Sequence, residues 1–405
     1  MVRVPDSTVT PRHRWIVGAA IVLLALNLRA MVASLGVVLP QVRHDLGMSP
    51  TVAGVLTTLP VLCFAVVGFT SGGLVRRLGL HKSTVVLLVV VAAGLVARAL
   101  VEHPALFLAA TAVSLAGAAV GNVILPPLAK VHFPDRIGLI SALYGAALMG
   151  GATLASVTTV PIAEGLGGWR PALAAFAVLA AVTVLPWLTL LRHDVHAGPN
   201  QGAHLPVRAL ARSPLAWAMV VCFGVQSAGA YTQFGWYPEI LTDGGVGAHE
   251  AGVMLGVMSG VGIPLTLALP WLLVRTGDRP VLPVCFGLLT AAGWIGVLLA
   301  PASAPLLWSV LLGLGGGAFT WVLAMIGKRT RTPAATTALS LATQGLGYLL
   351  AGLGPFGVGA LHDATGSWTV PLIALIASTA VLTASGVVIS RPRMLEDTLG
   401  PPASR

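Results

Sequence analysis

The chain has 405 residues, of which 56% are hydrophobic and only 9% are charged, and its mean hydropathy is +0.90. Soluble domains carry roughly 25% charged residues, so this composition excludes an ordinary water-soluble protein and indicates a surface that lies mostly in lipid. The net charge of +10 does not indicate nucleic-acid binding, because the basic residues sit in short runs between apolar segments.

A membrane-spanning helix needs about 20 predominantly apolar residues, and the apolar runs of this chain provide twelve candidates. We therefore predict an all-α membrane protein of twelve transmembrane helices. In chain order, the predicted spans are 15–40, 50–75, 83–101, 104–129, 136–163, 169–191, 214–240, 249–274, 280–300, 304–327, 334–361 and 367–390. Most junctions carry Pro, Gly or a charge, for instance Pro40, Pro104, Pro214, Pro238 and Pro280.

The basic residues orient these spans. An even number of spans places both termini on one side, and Lys and Arg concentrate in cytoplasmic loops. With a cytoplasmic N-terminus, only Arg43 and Arg170 of the 23 basic residues fall in outer loops. Arg29 and Arg98 fall within spans, and we expect Arg98 to pair with Glu102 or reach the interface. We predict a multi-pass protein of the inner (plasma) membrane with both termini in the cytoplasm.

The two halves of the chain resemble each other. A shift of 198 residues, the distance from Pro40 to Pro238, also places Asp45 on Asp243, Arg77 on Arg275 and Lys130 on Lys328. One residue out of this register, Trp169 matches Trp368. Halves in the same orientation predict two six-helix bundles with a shared cavity near the bilayer midplane. The predicted units are a bundle at 1–191, a cytoplasmic linker at 192–213, a bundle at 214–390 and a cytoplasmic tail at 391–405.

Local motifs carry a family resemblance. The loop after the second span reads Gly72-x3-Arg76-Arg77-x-Gly79-x-His81-Lys82, which resembles the cytoplasmic signature of the major facilitator superfamily. Arg76 stands where that signature has an acid, so the usual charge relay lacks its acidic member.

A more specific resemblance, to the cyanate/2-nitroimidazole transporter family, extends over nearly the whole chain. It rests on Asn27-Leu28-Arg29, Leu56-Thr57-Thr58-Leu59-Pro60, Gly121-Asn122-Val123, Phe133-Pro134-Asp135-Arg136, Gln226-Ser227, Gln344-Gly345 and Leu361-His362-Asp363. The resemblance implies a transporter working by alternating access, with spans 1, 4, 7 and 10 around the cavity.

Arg29 is the foremost candidate for substrate binding. An Arg at the centre of a span costs about 2.5–3.5 kcal/mol on insertion scales, and all 13 Asp and Glu residues lie at span ends or in loops. A positive charge without a carboxylate at its depth favours an anion, or a neutral ligand with strong acceptors. The alternative is that Arg29 only stabilises packing, through helix-end carbonyls or Asn27.

The other candidates are polar or aromatic residues of spans 1, 4, 7 and 10: Asn27, Asn122, Gln226, Tyr231, Gln233 and Trp321. Asn27 lies about 200° around the helix from Arg29, so at most one of the two points straight into the cavity. Gln226 and Gln233 are seven residues apart and share one helix face. Trp321 is equally consistent with an ordinary buried tryptophan.

Several other features predict structure rather than binding. Tyr144 and Gln344 are more typical of hydrogen bonds between helices than of ligand contacts. The run Gly315-Gly316-Gly317 predicts a bend or a close helix crossing. Three acidic residues predict an exposed acidic outer loop: Glu239, Asp243 and Glu250. The spacing of Cys63, Cys222 and Cys285 predicts no disulfide or metal framework. We expect no cofactor and a monomer.

These features predict a transporter of a small anionic or polar organic solute, cyanate-like or nitroimidazole-like. Proton-coupled efflux of drugs is an alternative, against which Arg76 and the lack of acids within the spans count. A membrane sensor without transport is a second alternative. We expect no enzyme, because His249-Glu250 lacks the second His of a zinc motif and no Gly-x-Ser-x-Gly elbow occurs.

Overall fold

The computed structural model describes residues 11–191 and 207–398, and these residues are helical without any strand. The α-helices are α1 (Pro11–Val37), α2 (Leu39–Leu46), α3 (Pro50–Leu78), α4 (Leu80–Leu100), α5 (Pro104–His132), α6 (Ile137–Leu166), α7 (Trp169–Leu190), α8 (Pro214–Asp243), α9 (Ala248–Thr276), α10 (Val281–Leu299), α11 (Pro305–Gly315), α12 (Gly317–Lys328), α13 (Pro333–Ala351), α14 (Leu353–Thr365) and α15 (Thr369–Ser390). Short 3-10 helices cover Val207–Arg212 and Glu396–Thr398. Most of the predicted linker, 192–206, and the chain ends 1–10 and 399–405 lie outside the described residues.

Eleven stretches of helix in the described residues are long and apolar enough to cross a membrane, counting Pro305–Lys328 as one stretch. The chain is therefore a multi-pass membrane protein, as predicted. The predicted span 334–361 is not among the eleven; in the structure it is divided at Gly352 into α13 and α14. A count of twelve spans stays a prediction.

The helices begin where the sequence favours a start. Pro at the first helical position suits a residue whose missing N–H has no intrahelical role, and Pro104, Pro214 and Pro305 each stand there. Ser213 also caps α8, its hydroxyl accepting a hydrogen bond from the Ala216 N–H at 3.3 Å. The expected junction at Pro238 is wrong, because α8 continues through this proline to Asp243. Neighbouring helices support such interior prolines in membrane proteins.

Glycines interrupt two of the predicted spans. α11 ends at Gly315 and α12 begins at Gly317, so the helix is interrupted within the glycine run for which a bend or a close crossing was predicted. The break at Gly352 has the same consequence for α13 and α14. Each break lets the two parts of one predicted span take different directions.

The first six long helices pack mainly on one another, and so do the helices from α8 onward. Contacts between these groups run through α6 with α9, α3 with α13 and α14, and α1 with α8. Two of these crossings need glycine: a Cβ at Gly36 of α1 would lie 1.7 Å from the backbone oxygen of Phe234 on α8, and one at Gly252 of α9 would lie 2.8 Å from that of Ser156 on α6. Small residues let membrane helices approach this closely.

Arg98 does not form the expected pair with Glu102. Its residue surface is 1% exposed, and its Nε and Nη2 are buried without a hydrogen-bond partner among the described residues. The side chain turns into the protein from α4 rather than reaching the interface.

Candidate functional site

A cavity of about 290 Å³ lies among α1, α6, α8, α9, α11 and α12. Its polar lining consists of Arg29, Ser141, Tyr144, Gln226, Ser227, Tyr231, Gln233, Ser259, Thr266 and Thr320. Apolar side chains such as Met149, Phe234, Met258 and Phe319 complete the wall. The structure thus brings four predicted site residues, Arg29, Gln226, Tyr231 and Gln233, to one cavity.

Arg29 is the cationic group of this cavity, and it is only 7% exposed. Its Nη1 donates a hydrogen bond to the Tyr231 hydroxyl at 3.1 Å, while its Nε is buried without a partner in the described structure. Its guanidinium carbon lies 5.4 Å from the ring centre of Tyr231 and 5.9 Å from that of Phe234. Such cation–π contacts stabilise the charge only partly.

Arg29 forms no ion pair with any acid in the described part of the chain. Its partners are neutral: one phenol and two aromatic faces. A buried guanidinium gains most from a carboxylate or similar anion that accepts its remaining N–H groups. The site can therefore hold a small anion or a group with strong acceptor oxygens.

An aromatic wall continues from this arginine. Phe64 lies 6.1 Å from Tyr231 and 5.8 Å from Tyr348, measured between ring centres. Phe223 lies 5.0 Å from Tyr348 and 5.5 Å from Phe319, which lines the cavity. Tilted and edge-to-face aromatic pairs at these distances pack stably and give the cavity flat, rigid sides.

Gln226 and Gln233 lie on the same face of α8, as their seven-residue spacing predicts. Both are buried, both line the cavity, and neither side chain has a hydrogen-bond partner among the described residues. Each amide offers two donors and one acceptor to a ligand.

At the end of the structure where α1 is followed by α2, an ion pair links α2 to α8. Nη1 of Arg43 on α2 donates to Oε1 of Glu239 on α8, and the Arg43 guanidinium carbon lies 5.8 Å from the ring centre of Trp236. Glu239 is 4% exposed, so the prediction of an exposed acidic loop is wrong for this residue. The continuation of α8 past Pro238 carries its side chain into the contact.

Matching hydrogen bonds flank this ion pair in the two sequence repeats. The Trp169 indole N–H donates to Oδ2 of Asp45 at 2.7 Å, and that of Trp368 donates to Oδ2 of Asp243 at 2.8 Å. The hydrogen bond from Trp169 lowers the pKa of Asp45, which lies in α2 outside the candidate spans.

The sequence pattern of the Major Facilitator Superfamily matches residues 20–355. The chain belongs to the major facilitator superfamily. Transport of a small molecule across a membrane is accordingly its general function.

Three relatives of this superfamily member extend over most of the chain. It is 36% identical to the "Uncharacterized transporter YycB" of Bacillus subtilis (strain 168), over 94% of both chains. It is 31% identical to the "2-nitroimidazole transporter" of Escherichia coli (strain K12), over 96% of this chain and 98% of that one. It is 30% identical to the "Cyanate transport protein CynX" of the same organism, over 86% and 90%. The predicted resemblance to the cyanate/2-nitroimidazole transporter family is confirmed.

A solved structure shares the fold of this superfamily member. It is a bacterial homolog of the human lysosomal transporter Spinster in an inward-facing, occupied conformation. The TM-score is 0.79 at 15% sequence identity, covering 97% of this chain and 100% of that one. At this identity the likeness shows the fold alone.

Three of the predicted site residues do not line the cavity: Asn27, Asn122 and Trp321. The Asn27 amide donates to the Leu23 carbonyl at 2.9 Å and to Oγ1 of Thr183 on α7 at 2.8 Å, so it links α1 to α7. The Asn122 amide donates to the Ala118 carbonyl of its own helix at 3.3 Å. Trp321 is buried in an apolar cluster with Phe286. In this conformation α5, the predicted fourth span, does not reach the cavity.

Sequence reasoning missed several lining residues of α6, α9 and α12. Ser259 and Thr266 line the cavity from α9 and are seven residues apart, the same spacing that relates Gln226 to Gln233. This seven-residue spacing, which puts two polar side chains on one helix face, could have identified Ser259 and Thr266 from the sequence. Tyr144, which we expected to bond between helices, also lines the cavity.

The loops that correspond to the superfamily signature differ between the halves. The side chain of Arg76 lies outside the described part of the structure. In the other half, Asp278, between α9 and α10, contacts Lys328 at 3.1 Å and Arg329 at 2.7 Å. The hydrogen bond from Lys328, together with that from Arg329, lowers the pKa of Asp278.

Proposed function

We propose that this chain is a secondary transporter of a small, planar organic anion, or of a neutral heterocycle with strong acceptor groups, working by alternating access. The observation that carries the proposal is the buried Arg29 guanidinium, which faces the cavity and, among the described residues, has only a phenol and two aromatic rings as partners. When a ligand carboxylate binds Arg29, its two charged oxygens replace the neutral Tyr231 hydroxyl as hydrogen-bond acceptors.

The size and shape of the cavity support a single-ring solute. Its volume of about 290 Å³ is at the small end of the roughly 300–1,000 Å³ found for small-molecule sites. Aromatic walls of Tyr231, Phe234 and Phe319 suit a flat molecule, and Gln226 and Gln233 offer donors and acceptors along its edge. The names of two relatives, a 2-nitroimidazole transporter and a cyanate transport protein, agree with a small ligand rich in acceptors.

The proposed cargo is larger than cyanate. A cavity of about 290 Å³ holds several water molecules, so a single triatomic anion leaves most of it unfilled. The small volume also counts against efflux of large drugs. We propose benzoate and 2-nitroimidazole as test substrates, one charged and one neutral, each with a flat ring and a two-oxygen acceptor group.

The proposed transporter has the following arrangement in the membrane. It has twelve crossings with both termini cytoplasmic, a first bundle at 1–191 and a second at 214–390, joined by the linker 192–213 and followed by the tail 391–405. The protein acts as a monomer in the bacterial inner membrane, without cofactor, catalysis or nucleic acid. The cavity then opens towards the cytoplasm, since it includes Ser141 near the start of α6 and Leu323 near the end of α12, while Arg43 and Glu239 close the outer end.

Uptake into proteoliposomes tests the proposal. Arg29→Gln removes the charge but keeps a polar, shorter side chain, so it should abolish benzoate uptake while the purified protein keeps its melting temperature. Arg279→Gln is the matched control, because Arg279 is exposed between α9 and α10, and it should transport normally. Wild-type rates in Arg29→Gln would contradict the role of Arg29, and no uptake of any single-ring anion by the wild type would contradict the substrate class.

A further inference from the structure

We propose that Arg43 forms a second anion-binding site, at the outer mouth, which the Glu239 carboxylate occupies in this structure and a small external carboxylate takes when the mouth opens. This inference rests on the proposed function, and it adds a first binding station on the route to Arg29. Glu239 is then a built-in substitute for the cargo.

The two arginines have the same kind of surroundings. Arg29 of α1 lies beside the rings of Tyr231 and Phe234 on α8, and Arg43 of α2 lies beside the ring of Trp236 on α8. In each case a guanidinium from the first half meets an aromatic face of the same helix. A contact with a ring face occupies none of the guanidinium N–H donors, so those donors can serve an anion.

The two sites differ in what accepts those donors. At Arg29 the acceptor is the neutral hydroxyl of Tyr231. At Arg43 it is the carboxylate of Glu239, which shows that this site accommodates an anion of the proposed class. The Arg43 site therefore has a charge-assisted hydrogen bond to a carboxylate, which the Arg29 site lacks in the described structure.

The internal ion pair is incomplete, which leaves it open to competition. Nε of Arg43 and Oε2 of Glu239 are both buried and without hydrogen-bond partners among the described residues. A buried pair with unsatisfied groups gains less than a fully bonded one. A carboxylate free to approach edge-on can bond two N–H groups of Arg43 at once.

Glu239 has no second cation nearby to hold it in place. Asp243, one turn further along α8, accepts from Trp368, and on α14 the His362 ring stacks on Trp368 at 3.9 Å while Asp363 accepts from Thr51. Among the other ionisable groups at this end, His44, Asp45, His249 and Glu250 are exposed. Arg170 is half-buried and donates to the carbonyls of Ala99 and Val101 rather than to Glu239. Arg43 is thus the cation that Glu239 contacts in the described structure.

The two sites act on one helix. Tyr231 and Glu239 are eight residues apart on α8, about 12 Å along its axis. Displacement of Glu239 by an external anion breaks the link between α2 and α8 and opens the mouth. Transfer of the anion to Arg29 leaves Arg43 free for Glu239 again, and the mouth closes behind the cargo.

Binding stoichiometry tests this site, with benzoate as the probe and calorimetry on purified protein as the measurement. Wild type should bind one benzoate, at Arg29. Glu239→Gln should bind two, because a neutral amide no longer fills the Arg43 site, and Glu239→Gln combined with Arg43→Gln should return to one. A single benzoate in Glu239→Gln, with the affinity of wild type, overturns the inference.

The combination Arg29→Gln with Glu239→Gln separates the two proposals. One benzoate bound there, removed by adding Arg43→Gln, supports the outer site even if wild type binds none and the proposed role of Arg29 fails. If Glu239→Gln alone does not fold, the neutral pair Arg43→Gln/Glu239→Gln carries the test. It should raise KM for external benzoate roughly tenfold, the loss expected for one good ionic contact, and leave KM for internal benzoate unchanged. Equal external KM values for this pair and wild type overturn the inference.

Discussion

Arg29 on α1 donates a hydrogen bond of 3.1 Å to the hydroxyl of Tyr231 on α8, so a buried cation of one half is held by a neutral acceptor of the other. This contact crosses the same pair of helices that Gly36 and Phe234 bring together. The proposed substrate anchor therefore lies where the two halves of the chain cross. A ligand that takes over the Arg29 N–H groups would therefore break a contact between the two halves.

Arg29→Lys separates charge from geometry at this anchor. Lysine keeps the positive charge but has no planar fork, so it cannot bond both oxygens of a carboxylate in one plane. We expect benzoate affinity to fall roughly tenfold, the effect of losing about one charge-assisted hydrogen bond, whereas Arg29→Gln should remove binding. Calorimetry on the purified variants measures both.

The exposed Arg279→Lys is the control and should bind benzoate like wild type. Equal affinities in Arg29→Lys and wild type would mean that charge alone selects the ligand. Equal loss in Arg29→Lys and Arg29→Gln would instead make the fork indispensable.

Gly36→Ala tests the close crossing of α1 and α8. The added methyl would lie 1.7 Å from the Phe234 backbone oxygen, so α1 and α8 cannot pack as they do in this structure. We expect uptake to fall by more than about tenfold, because a bias of ~1.4 kcal/mol against the closed state suffices for that. The measurement is benzoate uptake beside the melting temperature of the purified protein.

Gly165→Ala on α6 is the matched control, since nothing lies within 4 Å of a Cβ at that position. It should transport like wild type. Normal uptake by Gly36→Ala would show that the outer crossing need not close this tightly during the cycle.

Composition and apolar run length predicted the helices well, because lipid imposes about the same length on every span. They failed where a boundary depends on packing. Pro238 looked like a helix end, yet neighbouring helices support α8 through to Asp243. For the same reason Glu239, expected to be exposed at a helix end, is buried against Arg43.

The candidate site was predictable where helix periodicity alone decides, as for Gln226 and Gln233. It was not predictable where the choice of neighbour decides. Asn27 is polar and lies two residues before Arg29, but its amide donates to Thr183 of α7 instead of facing the cavity. A sequence predicts which residues share one face of a helix, but only the packed structure shows which neighbouring helix or cavity that face contacts.

Asp278→Asn tests the ionic cluster at the end of α9. Arg329, whose side chain is 2% exposed, donates to the carbonyls of Ile389 and Ser390 and to Asp278. Removing the carboxylate leaves this buried cation without its counter-charge. We expect the free energy of unfolding to fall by about 1–2 kcal/mol. This lies towards the low end for a charged contact, because Asp278 is 42% exposed and solvent screens it.

The pH dependence of this effect has a definite sign. The hydrogen bond from Lys328 is the main reason why the pKa of Asp278 is lowered from its ordinary value of 3.8. The carboxylate therefore contributes fully above that ordinary value, and its contribution is lost as the pH falls through the lowered pKa. Denaturation of wild type and Asp278→Asn in detergent should differ equally at pH 7 and pH 5 and converge only below about pH 4. Glu102→Gln, in an exposed loop, should match wild type throughout, and convergence already at pH 6 would assign the titration to another group.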